Sequence, residues 1–104
     1  MKNGEQPGLA MSRSFGDKKA KCCGVIPFPD IIENNLKLNI KYMVICSDGV
    51  WEFLSNEQVR DLGNKFFNKG ELGNFCSQLV KEAVHAWETR DIIRDDITVV
   101  CVYF

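Results

Sequence analysis

The sequence predicts an α+β or α/β domain, and three observations carry that prediction. Tyr42–Cys46 (YMVIC) and residues 97–104 (ITVVCVYF) are runs of apolar, β-branched and aromatic residues of strand length. Two segments between them place apolar residues at helical spacing. The order strand, helix, helix, strand then packs both helices on a sheet. At 104 residues the chain is long enough for one small domain with a modest core.

Residues 1–8 are polar, with two glycines and a proline, and read as a flexible or severed connection with no signal peptide. LAMSRSFGD (9–17) is compact and mixed, and KKAK (18–21) reads as a solvated basic loop. GVIPFPDI (24–31) carries two prolines, so it is extended and pairs only at an edge. Asn34-Asn35 reads as a turn between short strands. The unbroken apolar run at 42–46 predicts a strand covered on both faces.

Ser55-Asn56-Glu57-Gln58 is a capping box, with Leu54 and Val59 as its hydrophobic staple. It opens a helix over about 55–69 whose apolar residues are Val59, Leu62, Phe66 and Phe67, and Lys69-Gly70 suits its end. A second helix over about 71–88 holds Leu72, Phe75, Cys76, Leu79, Val80, Ala83, Val84 and Trp87 on one face.

Composition narrows the function. With 13 basic and 14 acidic residues the formal net charge is −1, which argues against nucleic acid as a partner. The apolar runs are too short to span a bilayer, so no membrane partner is expected. The five cysteines are odd in number and form no C-x-x-C pair. They read as buried free thiols of a reducing compartment, which places the protein in the cytoplasm or nucleus. The single His85 has no partner at zinc-ligand spacing.

The acidic residues at the strand ends pose the functional question. Asp48 lies just past the 42–46 strand, and Asp95 and Asp96 lie just before the 97–104 strand. If the strands are antiparallel neighbours, all three acids gather at one sheet end. If they are parallel, the acids lie about a strand length apart, roughly 20 Å. Gathered carboxylates repel, and a hard divalent cation relieves the repulsion. Oxygen donors alone favour Mg²⁺ or Mn²⁺. From spacing alone, a turn at Asp48-Gly49 and a solvated loop at Asp95-Asp96 remain open as the blander readings.

Four motifs change that balance. GLAMSRSFGD (8–17), GVIPFPDI (24–31), MVICSDGVWEFLSNEQV (43–59) and RDDITVVCVYF (94–104) resemble, in order, motifs of the C-terminal part of the metal-dependent serine/threonine protein phosphatases of type 2C. The resemblance implies a partial α-β-β-α sandwich, with a mainly antiparallel sheet and the two helices packed on it, and residues 1–104 as a C-terminal fragment of the catalytic domain. It implies hydrolysis of phosphoserine and phosphothreonine in a phosphoprotein substrate by a metal-activated water, with two Mg²⁺ or Mn²⁺ ions in the complete domain. It implies Asp48 and Asp95 as metal ligands, Asp96 as a neighbour of the site, and Gly49 as the residue that turns the backbone sharply beside the ion. Val50 and Trp51 are read as core beneath the site. Arg13 is read as paired with Asp17 or a neighbouring acid, not as a phosphate clamp.

The family's D-G-H-G-G motif, its phosphate-contacting Arg and a further metal-binding Asp have no counterpart in this sequence. No catalytic or phosphate-binding residue is therefore assigned. The chain alone is expected to be inactive and to self-associate through exposed sheet. The rival readings are a non-catalytic phosphatase-like interaction or regulatory module, and a receiver-type α/β metal-binding module built on a parallel sheet.

Overall fold

The computed structural model describes residues 11–36 and 39–104, apart from the side chain of Leu72. The expected connection at 1–8 and the first residues of the 8–17 motif lie outside the described residues. The chain divides into two compact units, residues 1–35 and 36–104.

The first unit is held by backbone pairing around an isolated parallel bridge between Arg13 and Ile26. Ser14 N donates to Ile26 O at 3.1 Å, and Ile26 N donates to Ser12 O at 3.2 Å. The basic run is not a loop but a single helical turn, α1 (Lys18–Lys21), because the Asp17 carboxylate accepts the Ala20 N–H at its start. Asp17 is thus occupied, and Arg13 pairs with Asp30 instead. The two prolines leave 27–31 without strand pairing, and no short strands flank Asn34-Asn35 among the described residues.

The second unit is a two-stranded sheet with helices on one side. β1 (Tyr42–Cys46) and β2 (Val99–Tyr103) pair antiparallel, in register from Tyr42 opposite Tyr103 to Cys46 opposite Val99. Antiparallel pairing confirms the α+β reading and removes the receiver-type one, which needs parallel strands. A short helix α2 (Asp48–Trp51) follows β1. Then come α3 (Asn56–Lys69) and α4 (Leu72–Glu88), each starting one residue later than the pattern predicts.

The α3 capping box forms as read. Ser55 Oγ accepts the Gln58 N–H at 3.3 Å, and Gln58 Oε1 accepts the Ser55 N–H at 2.8 Å. Such a cap contributes about 1 kcal/mol. Gly70, at φ 71°, ends α3 in the left-handed conformation that a residue with a Cβ adopts only at a cost.

The core consists of Val50, Val59, Phe75, Leu79 and Ala83, with Val44, Cys46, Cys76, Val99 and Cys101 packed against it. Both strands therefore turn one face inward. The expectation of a strand covered on both faces fails here: Met43 is 45% exposed and Ile45 53%, with Val100 and Val102 exposed beside them. The run shows no polar alternation because both faces are apolar, although only one is covered.

Candidate functional site

Antiparallel pairing brings the end of β1 and the approach to β2 together, as the gathering of acids at one sheet end requires. Ser47 fastens the two segments. Its backbone N–H donates to Thr98 O at 3.1 Å. Its hydroxyl accepts the Thr98 N–H at 3.0 Å and donates to Asp96 O at 3.0 Å. The side chain thus continues the β ladder past Cys46 and fixes the backbone beside both Asp48 and Asp95.

After Ser47 the extended strand passes straight into α2, so Asp48-Gly49 is the start of a helical turn rather than a loop turn. Asp48 is exposed, and its Oδ1 accepts the Gly49 N–H at 3.1 Å. Asp95 is also exposed, and its Oδ1 accepts the Asp96 N–H at 2.7 Å. Each carboxylate is steadied through one oxygen by the following amide. Asp96 is exposed, and it is its carbonyl that engages the site's frame, through Ser47.

The sharp turn expected at Gly49 is absent. Among the described glycines with positive φ are Gly16, Gly24 and Gly70, and Gly49 is helical. Its role is close approach: a Cβ there would run into the Asp96 carbonyl and meet Ile97 Cγ1 at 3.0 Å. Without a side chain, α2 settles directly on the segment that carries Asp95 and Asp96.

Val50 is fully buried beneath the site, as read. Trp51 is 37% exposed and is only partly a core residue. Its indole N–H donates to Cys46 O at 3.1 Å. Sequence reasoning placed Trp87 merely on an apolar face. In the structure the buried Trp87 indole N–H donates to Gly49 O at 2.7 Å, and its ring meets Phe53 edge-on at 4.7 Å. The Arg90 guanidinium covers the Phe53 ring at 4.1 Å. Ser47 and Trp87 are thus positioning residues that periodicity and the acid pattern did not single out. The signal for Ser47 was its place directly before Asp48. For Trp87 there was none, because the hydrogen bond spans 38 residues.

The donor chemistry at this sheet end is hard oxygen only, which suits Mg²⁺ or Mn²⁺. The described residues contain no group of three or more His, Cys, Asp or Glu arranged to hold a metal ion. Asp48 and Asp95 therefore fit such an ion in kind and fall short of a complete ligand set.

Beneath the sheet sit three half-buried free thiols, Cys46, Cys76 and Cys101. Burial, and then the neighbouring Cys76 and Cys101, push the Cys46 thiol from an ordinary 9.0 up to about 11. Burial also raises Cys76. The neutral thiol is the form the fold prefers. Cys46 thus contributes stability that is complete below pH 9 and is lost as pH rises toward 11. The urea midpoint of the wild type is expected to fall toward that of Cys46→Val across this window. A difference between the two that is unchanged from pH 8 to pH 11 would contradict it.

A family profile described as "Protein phosphatase 2C" matches residues 2–92. The chain belongs to the protein phosphatase 2C family. It is 35% identical to "Probable protein phosphatase 2C 34" of Arabidopsis thaliana over 96% of this chain and 28% of that protein. It is 39% identical to "Probable protein phosphatase 2C 72" of Arabidopsis thaliana over 93% of this chain and 29% of that one. The crystal structure of serine-threonine phosphatase 2C from Toxoplasma gondii superposes with a TM-score of 0.84 at 29% identity, covering 97% of this chain and 32% of that one. The chain thus spans less than a third of the length of these protein phosphatase 2C relatives. The stretch matched by the family profile includes Asp48 and Gly49 and stops before Asp95.

Proposed function

We propose that this chain is the C-terminal part of a Mg²⁺- or Mn²⁺-dependent protein phosphatase that hydrolyses phosphoserine and phosphothreonine in protein substrates, and that it is inactive by itself. Family membership supports the reading. The observation that carries the site assignment is the meeting of the two strand ends at Ser47, which sets Asp48 and Asp95 at one end of one sheet. In this reading Asp48 and Asp95 hold metal with the carboxylate oxygens their own backbones leave open, while Gly49 and Asp96 form the floor between them. Bound divalent cations supply a lowered water pKa, in-line orientation and neutralisation of charge on the phosphoryl oxygens. The chain's own contribution is rigidity: strand ends, the Ser47 clamp and the buried Val50 hold the two acids in place before any ion arrives.

Calorimetric titration with Mn²⁺ tests the assignment. The chain is expected to bind weakly, and Asp48→Ala and Asp95→Ala are each expected to weaken binding by roughly tenfold. Binding undiminished in both variants would refute these ligands. Phosphopeptide turnover by the purified chain with Mn²⁺, at a rate typical of a metal-dependent phosphatase, would refute its inactivity.

We also propose that the isolated chain self-associates through the sheet face of Met43, Ile45, Val100 and Val102, where apolar side chains meet water on a sheet that has two strands among the described residues. Light scattering is expected to show mass rising with concentration. A monomer at every concentration would end the idea.

A further inference from the structure

We propose that Cys22 and Cys23 form a thiol–disulfide exchange site for small anionic disulfides of the glutathione type. Cys23 is the attacking thiol, and Lys18, Lys19 and Lys21 are its cationic surround. The local fold leaves all of these groups exposed within one short stretch of chain. In α1 the buried residue is Ala20, and Lys18, Lys19 and Lys21 are exposed. The chain continues the turn as it leaves: Cys23 N donates to Ala20 O at 2.9 Å and Gly24 N donates to Lys21 O at 3.2 Å. Both thiols therefore stay on the outside, and both are exposed. The two cysteines follow directly on the three lysines of the turn, and Cys22 lies against the Lys18 carbonyl.

The pair is unequal. The Cys22 thiol donates to Lys18 O at 3.8 Å, which occupies its hydrogen. This leaves Cys23 as the attacker. The one carboxylate at the turn, Asp17, is engaged at the opposite end with the Ala20 N–H. Three ammonium groups within one turn draw in a net-anionic disulfide. The other three thiols lack these features, being half-buried beneath the sheet.

In the exchange, Cys23 Sγ attacks one sulfur of glutathione disulfide. A Cys23–glutathione S–S bond forms as the glutathione S–S bond breaks. The departing glutathione takes the electron pair of the broken bond, and then, through water, the proton given up by Cys23. The protein thiol is oxidised and one glutathione is reduced.

The experiment incubates the 104-residue chain with glutathione disulfide, quenches with acid and maps adducts by peptide mass spectrometry over time. The mixed disulfide is expected on Cys23 at least about fivefold faster than on Cys46, Cys76 or Cys101. Cys23→Ser removes the fast phase and Cys22→Ser keeps it. Substituting Lys18→Gln, Lys19→Gln and Lys21→Gln together slows it about threefold or more at low salt, and the difference closes at high salt. With the neutral 2-hydroxyethyl disulfide the lysine substitutions have no effect, which separates lost steering from lost folding. A fast phase that survives Cys23→Ser, or lysine substitutions that leave the glutathione rate unchanged, would overturn the proposal.

Discussion

Replacing Trp87 with Ala is expected to destabilise the chain by about 3–5 kcal/mol, the usual cost of emptying a buried aromatic site. The position warrants the upper part of that range because the ring serves three contacts. It fills space behind α2, packs edge-on against Phe53 at 4.7 Å and donates its indole N–H to Gly49 O at 2.7 Å. Trp87→Phe keeps most of the apolar volume and removes only the donor. Leaving the Gly49 carbonyl without its buried partner is expected to cost about 1–3 kcal/mol. Urea unfolding of both variants measures the two costs, and equal midpoints for Trp87→Phe and wild type would show that the hydrogen bond contributes nothing. Because Gly49 follows Asp48, the same loss should loosen the acid. Any weak Mn²⁺ binding is then expected to weaken in Trp87→Phe even where the fold survives.

How far the sequence foretold this arrangement depends on whether a signal is local. The α3 capping box was legible because Ser55 and Gln58 act across a single turn, and the structure forms both of its hydrogen bonds. The helical faces were legible for the same reason, since an i, i+3, i+4 pattern is written within one element. The strand pair was legible as two apolar runs, but its direction was not. That became an alternative that only long-range pairing, Cys46 opposite Val99, decides. Covering of the sheet was misread because an apolar run records what a surface avoids and not what lies against it. Asp48 and Asp95 stood out as acids at strand ends, whereas Ser47 joins them through a backbone carbonyl, that of Asp96, which every residue carries. Contacts made to backbone leave no mark in composition. Trp87 with Gly49 and Ser47 with Asp96 are both of this kind, as is the room left by the absent Cβ of Gly49.

That absent Cβ sets the second large effect. Gly49→Ala is expected to destabilise the chain by about 2–3 kcal/mol, although alanine is by propensity the better helix residue by about 1 kcal/mol. Sterics decide against propensity here because the atoms that would have to yield are not free to do so. The added methyl group would run into the Asp96 carbonyl and crowd Ile97 Cγ1 at 3.0 Å. That carbonyl is held by the Ser47 hydroxyl, and the segment after it is bonded through Thr98 into the ladder. Relief therefore requires α2 to lift, which withdraws Gly49 O from Trp87 and Val50 from the core. Gly73→Ala is the control. Gly73 also lies in a helix, is exposed, and has open space where its Cβ would stand. There propensity acts alone, and a gain of about 0.5–1 kcal/mol is expected. Opposite signs for the two substitutions in one denaturation series would show that contact with the Asp95-Asp96 segment, and not helix preference, requires glycine after Asp48. If Gly49→Ala were as stable as wild type, the close packing of α2 on that segment would be wrong, and with it the rigid floor between the two acids.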